Sequence, residues 1–246
     1  MVDICYWTRP GSVPFPNIWR KFKGKKELNG IVPSFWVQDI PEDEFENVTS
    51  CMVRYFCREE PVTKHSDFNN EPESVQCRKK LWDITLAQRM GLICYMENPN
   101  PNGKPIFAAV NCTYVQTKYD PQFKLTGKTM NDFGHIRKLL TQENDPFETL
   151  ETDVLLCALG MYVFREFRGQ DLGLQLLLAR ENICRACDIT ATGTVFTSTI
   201  SQELAHKAGY KTLSEISYRD LRDIYKYDYP GIEENHKSVK YMYKVF

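Results

Sequence analysis

The chain has no run of about 18 apolar residues, so no membrane-spanning helix is expected within its 246 residues. Residues 1 to 16 mix Asp3 and Arg9 with Pro10, Pro14 and Pro16. They lack the continuous apolar stretch of a signal peptide. An excess of one charge is also missing. Lys and Arg number 31 and Asp and Glu 32, for a net charge of −1. That balance points neither to a dedicated nucleic-acid binder nor to a surface strongly drawn to membranes. Thirteen glycines and thirteen prolines are too few for a collagenous or low-complexity chain. The nine cysteines are odd in number and scattered, which fits no disulfide framework. Reduced thiols, a cytoplasmic location and a monomer are the resulting expectations.

What is present is ordinary for a globular protein: 42% hydrophobic, 13% aromatic and 26% charged residues. The length allows one large domain or two small ones. Residues 1–33 stand apart. They carry Arg20, Lys21, Lys23, Lys25 and Lys26, interleaved with Trp7, Phe15, Trp19 and Phe22. A basic-aromatic arm of this kind can serve RNA, lipid head groups or an acidic partner. It can equally be a solvated edge extension packed by its aromatics, and five charges on a neutral chain favour that second reading.

From Ser34 the pattern becomes regular. Residues 34–39 read as a strand. Asp39 and Pro41, with Glu42, Asp43 and Glu44 behind them, read as a helix start that the dipole favours. Phe45, Val48, Met52, Tyr55 and Phe56 continue that helix at the proper spacing, and Pro61 ends it. A second helix is predicted over 74–90 with Gly91 closing it. Residues 92–96 and 106–114 read as a hairpin around the turn-rich stretch 98–103. A short helix is expected over 131–141. Residues 154–164 form a near-continuous apolar run, as a strand buried on both faces does. A long helix follows, on the stripe Leu172, Leu176, Ala179, Ile183 and Ala186. Residues 194–199 read as a strand and 201–208 as a helix ended by Gly209. The alternating stretch 238–246 reads as a final strand. The sequons at Asn47 and Asn111 fall in a predicted helix and strand and are read as chance.

The chemistry concentrates between that apolar strand and the long helix, in Arg168-Gly169-Gln170-Asp171-Leu172-Gly173. Glycines let a backbone approach a ligand closely, and a new helix offers free N–H groups and a positive dipole end. Arg168 adds a guanidinium that pairs well with phosphate oxygens. The spacing is neither that of a P-loop nor that of the dinucleotide fingerprint. Cys184 and Cys187 make a single Cys-x-x-Cys without the second pair that zinc wants. They lie near a helix end rather than at the start a redox pair prefers, so packing is the favoured role. His65, His135, His206 and His236 show no metal spacing. No metal is expected.

Met161-Tyr162-Val163, followed by Phe167 and the Arg168–Gly173 loop, resembles the acetyl-CoA motif of the GNAT N-acetyltransferase superfamily, Gln/Arg-x-x-Gly-x-Gly/Ala. Three further stretches resemble its insect arylalkylamine N-acetyltransferase-like branch. These are Phe56-Cys57-Arg58-Glu59-Glu60-Pro61, Thr197-Ser198-Thr199-Ile200-Ser201, and Lys207-Ala208-Gly209-Tyr210. The resemblance covers residues 34–246. It implies an α/β (α+β) fold with a mixed, mostly antiparallel sheet, flanked by helices and splayed between the fourth and fifth strands counted from Ser34. It implies acetyl-CoA as co-substrate, with Met161, Tyr162 and Val163 along the pantetheine arm. Arg168, Gly169, Gln170, Asp171, Leu172 and Gly173 would stand around the pyrophosphate.

The implied reaction is direct acetyl transfer to a small primary amine such as an arylalkylamine. Glu60 matches the general base, with Glu59 as its neighbour and rival. Thr197 and Ser201 match hydroxyls that assist substrate binding or thiolate protonation, and capping of the following helix explains them as well. Phe56 and Tyr55, with Pro61, are candidates for the amine pocket, and core packing is the favoured role for the two aromatics. Two departures stand out. Asp171 replaces the central glycine of the motif, which sets a carboxylate where a pyrophosphate is expected and leaves a catalytically weak binding protein as the alternative. The tyrosine acid of the wider superfamily falls near Ala205, a loss shared with the insect branch.

Overall fold

The structure, a computed structural model, describes residues 6–246. Cys5, one of the nine cysteines, and Asp3 lie outside it. The remaining cysteines are all buried and unpaired. No helix among the described residues is long and apolar enough to cross a membrane.

The chain opens with strand β1 (Ile18–Lys23) and strand β2 (Ser34–Asp39). Helix α1 (Phe45–Cys51) follows and runs through a π-helical stretch, Met52–Phe56, into α2 (Cys57–Glu59). Glu60 breaks the helix with an extended ψ of 129°, and α3 (Pro61–Lys64) starts on Pro61. Next come α4 (Pro72–Leu86), β3 (Leu92–Met96), β4 (Ile106–Thr117), α5 (Lys128–Thr141) and α6 (Pro146–Thr149). The second half holds β5 (Val154–Val163), α7 (Leu172–Ala186), β6 (Ala191–Phe196), α8 (Thr199–Lys207), β7 (Lys211–Ser217), α9 (Tyr218–Asp223) and β8 (Ser238–Val245).

Eight strands form one sheet in the order β1-β2-β3-β4-β5-β6-β8-β7. Every neighbouring pair is antiparallel except β5 and β6. That parallel pair is held at one register point, Leu156 opposite Thr192. The two strands share no further ladder pair, although Thr194 Oγ1 still reaches the Ala158 carbonyl at 2.9 Å, and this open pairing is the splay expected between the fourth and fifth strands from Ser34. Period-two alternation divides the core. Phe35, Val37, Cys94 and Ala109 face α7, while Ile93, Tyr95, Val110 and Cys112 face α1 and α4.

Several boundaries differ from the sequence reading. Residues 18–23, placed in the arm, pair with β2 as the sheet edge. Phe22 stacks on Phe35 at 5.6 Å between centroids. Helix α4 runs from Pro72 to Leu86 rather than from 74 to 90. Gly91 does not cap it; Arg89 takes the left-handed turn at φ 60°. Gly91 instead sits where an added Cβ would strike Ile40 Cδ1 at 2.5 Å. Strand β6 starts at Ala191 and stops at Phe196, because Ser198 caps α8.

Candidate active site

The splay frees one edge of β5. The Phe164 N–H is bonded across to Ala108. Backbone groups of an antiparallel pair alternate between partner and outside. Tyr162 therefore turns to β4, while Met161 and Val163 turn into the splay. The Val163 carbonyl confirms this by accepting Arg168 Nε at 3.2 Å. A bulge precedes the stretch, where the β4 register jumps between Asn111 and Thr113. Gly160 stands in it at φ 120°, and a Cβ there would meet Phe56 Cζ at 2.7 Å and Met52 Cε at 2.9 Å. Asn111 Nδ2 holds the Gly160 carbonyl at 2.9 Å. The Tyr162 side chain turns from the splay and packs on Tyr55.

The loop from Arg168 leads into α7, whose first turn no side chain caps. Gln175 makes the first helical bond back, to Asp171. The N–H groups of Leu172, Gly173 and Leu174 are thus left for an anion. Gly169 has φ 84° and Asp171 φ 61°. Gly173 lets α7 close on its surroundings, with an added Cβ 3.0 Å from Leu204 Cδ1 and 3.5 Å from Met161 Cε. The Gln170 side chain is buried and grips the Lys26 backbone twice, at 2.9 and 2.8 Å. The Asp171 carboxylate turns away to form an ion pair with Lys25.

The two candidate bases have opposite surroundings. Glu60 is buried and caps α3, accepting from Val62 N at 3.2 Å, Thr63 N at 2.8 Å and Thr63 Oγ1 at 2.9 Å. A carboxylate has about four lone-pair sites, so capacity for a further donor remains. Glu59 binds Arg165 and Arg168. Burial raises its pKa, but the bonds from Arg168 and Arg165 outweigh it and hold the carboxyl below its ordinary value. Glu59 thus holds Arg168 beside the loop. Ser198, not Ser201, caps α8. Ser201 Oγ donates to the Ser198 carbonyl at 2.8 Å. Thr197 lends its carbonyl to Tyr218 Oη at 2.6 Å, and its hydroxyl is the freer of the two candidate donors. Phe56 packs edge-to-face on Trp82 at 6.2 Å, and Pro61 forms the first turn of α3.

Of the site residues expected from the sequence, all but two border a cavity of about 1280 Å³ that runs from the α7 loop through the splay to α5. The exceptions are Gln170, whose side chain is committed to Lys26, and Tyr55, which packs on Tyr162. The sequence reading missed Arg78, Arg137, Arg180 and Tyr218, which line the same space. Arg180 carried a signal: it falls three, four and seven residues from Leu177, Leu176 and Gly173, on the buried face of α7. Burial lifts the Tyr218 hydroxyl well above its ordinary pKa, with Glu60 adding to the effect. Burial likewise raises the Cys184 and Cys187 thiols, which leaves them as packing groups. Ala205 is fully buried.

No family model matches the chain, and no curated protein matches it in sequence. Solved structures do. A protein put forward as arylalkylamine N-acetyltransferase 7 of the yellow fever mosquito, Aedes aegypti, superposes with a TM-score of 0.87 at 29% identity, covering 97% of this chain and 99% of its own. Arylalkylamine N-acetyltransferase 2 of Aedes aegypti gives 0.71 at 16% identity over 86% of this chain and 98% of its own. The Drosophila melanogaster polyamine N-acetyltransferase, which catalyses the formation of N-acetylagmatine, gives 0.69 at 17% over 86% and 100%. The last two share the fold.

Proposed function

The chain has the GNAT acetyltransferase fold of these insect proteins, and on that premise we propose that it is an acetyl-CoA-dependent N-acetyltransferase of small primary amines. The observation that carries this is the uncapped start of α7 beside the free edge of β5, both opening on the cavity that Glu60 borders. The residues fit the co-substrate. The Met161 and Val163 edge offers backbone bonds to pantetheine amides. The N–H groups of the 170–174 turn, with Gly169 in its left-handed conformation, suit a pyrophosphate. Arg168, released from Glu59, supplies a charge-assisted bond. Acetyl-CoA brings the acyl group activated as a thioester.

An alkylammonium resembles lysine, with a pKa of about 10.4, so near neutral pH the reactive amine is penalised by roughly 4–5 kcal/mol. Glu60 takes that proton, directly or through water. The amine nitrogen then bonds to the acyl carbon, the C–S bond breaks, and the thiolate is protonated with help from the Thr197 hydroxyl and, secondarily, Ser201. Phe56 and Tyr218 border the cavity with Glu60, while the neighbouring Glu59 is neutralised by Arg165 and Arg168. That favours arylalkylamines over polyamines as acceptors. A thiol-release assay with acetyl-CoA and an amine panel tests the reading. Turnover is expected, with Glu60→Gln lowering kcat by about 10²- to 10⁴-fold. Equal rates remove Glu60 as base, and no turnover of any amine leaves a binding protein.

A further inference from the structure

Three arginines that the mechanism does not use, Arg78, Arg137 and Arg180, border the cavity. Arg78 is 7% exposed and Arg180 1%, and Arg137 is half-buried. Arginine keeps its charge inside proteins, and a buried charge calls for a partner of opposite sign. Among the described residues none of the three forms an ion pair; the arginines that do are Arg9, Arg89, Arg165, Arg168, Arg185, Arg219 and Arg222.

Their contacts are neutral instead. Arg180 donates from Nε to Asn111 Oδ1 at 3.0 Å and from Nη1 to Thr192 Oγ1 at 3.4 Å. Arg137 donates to Gln116 Oε1. Arg78 reaches the Leu159 carbonyl at 3.3 Å and lies 5.9 Å from the Phe56 centroid and 5.3 Å from that of Phe133. Its Nε is buried without an acceptor, and the Tyr241 hydroxyl, which also borders the cavity, has no hydrogen-bond partner. None of the carboxylates that border the cavity forms an ion pair with these arginines. Glu60 and Asp145 cap helices. Glu59 holds Arg165 and Arg168, Asp120 takes Tyr6 N and Thr117, and Asp171 takes Lys25.

We infer that these arginines form a receptor for a carboxylate carried in by a substrate, an inference that rests on the acetyltransferase reading above. The carrier is an amine that also bears an acid group, or a donor whose acyl chain ends in one. A guanidinium matches a carboxylate in shape as well as charge, and the Phe56 and Phe133 rings beside Arg78 shield the pair from water. An amino acid bound here would bring its ammonium to Glu60 and its carboxylate to the arginines.

The test compares kcat/KM for matched substrates with the full chain. One arm pairs γ-aminobutyrate with butylamine and phenylalanine with phenethylamine, using acetyl-CoA. The other pairs succinyl-CoA with butyryl-CoA, using phenethylamine. At least a tenfold preference for the acid is expected in one arm, and that arm identifies the carrier. Arg78→Met and Arg137→Met are expected to cut the preference about ten- to hundredfold, and Arg78→Lys to keep part of it. If Arg78→Met does not fold, the Lys variant and Arg137→Met carry the comparison. No preference in either arm, or one that these variants leave intact, overturns the receptor. Calorimetric binding of glutarate gives a readout without turnover. Binding that Arg137→Met abolishes supports the receptor even if no amine is acetylated, whereas an inactive chain that also ignores glutarate overturns both readings.

Discussion

Asp171 stands where a glycine is expected and keeps a backbone conformation that glycine favours. Its φ of 61° lies in the left-handed region, where glycine is relaxed and Asp is among the tolerated exceptions. The backbone of the loop is therefore kept, and the added carboxylate is drawn aside by Lys25. An exposed pair of this kind contributes under about 1 kcal/mol to stability, so its consequence lies in the field at the α7 start. Lys25→Ala is expected to weaken acetyl-CoA binding about three- to tenfold by leaving a bare carboxylate there. Asp171→Asn should tighten it, and the double variant should return near the wild-type value. Calorimetric titration of the four proteins decides this, and four equal affinities remove the pair from the site. The sequence identified Asp171 as the departure, but its partner is set by tertiary packing. The different surroundings of Glu59 and Glu60 were hidden for the same reason. Adjacent in sequence, they are separated by a helix break that turns one to Arg165 and Arg168 and the other onto α3.

At the scale of elements, hydrophobic alternation carried most of the fold. β2, β3 and β5 stand at or within a residue of their expected limits because one or both faces are buried. β7 was not legible. In Lys211–Ser217 the apolar Leu213 and Ile216 are three apart, a helical spacing, and as an edge strand it is largely solvent-facing. The start of α8 makes a testable case. His236 Nδ1 accepts the Thr199 N–H at 3.4 Å. Burial lowers its pKa below the ordinary 6.5, helped by His65 and Lys64 against the pull of Glu60. The unfolded chain then takes up the proton more readily than the folded one. The contribution of His236 to stability is complete above about pH 6.5 and declines as pH falls toward its folded pKa. Thermal unfolding from about pH 8 to about pH 5 should show a steeper fall for wild type than for His236→Gln; identical slopes remove the histidine as the cause. The β5 bulge is a second case. At Gly160 an alanine meets both a strained φ and the Phe56 ring. Gly160→Ala should cost about 1–3 kcal/mol, read by denaturant unfolding.

Across the whole molecule, the segment before Ser34 is fastened at two distant points. At one, Arg9 and Asp39 pair at 2.8 Å with Asp39 fully buried. Asp39 also accepts from Trp19 Nε1 at 2.7 Å and Asn17 N at 2.9 Å. Burial raises its pKa, while Arg9 and Trp19 act to lower it. At the other, Lys26 is clasped by Gln170 next to the α7 start. Arg20 Nε reaches Gln175 on α7 at 3.0 Å. If residues 1–33 were an independent arm, their removal would leave both stability and acetyl-CoA affinity as they are. The two fastenings argue for the opposite outcome. Deleting 1–33 bares the β2 edge, leaves Asp39 a buried charge without its cation, and frees the buried Gln170 amide from both partners. Arg9→Met isolates the first of these and should cost about 3–5 kcal/mol in denaturant unfolding. Gln170→Ala isolates the second: a smaller loss of stability, but weaker acetyl-CoA binding, because the loop it steadies is the one that presents its N–H groups. A deletion that folds with an unchanged Tm and titrates acetyl-CoA like the full chain would return the segment to the status of a detachable arm.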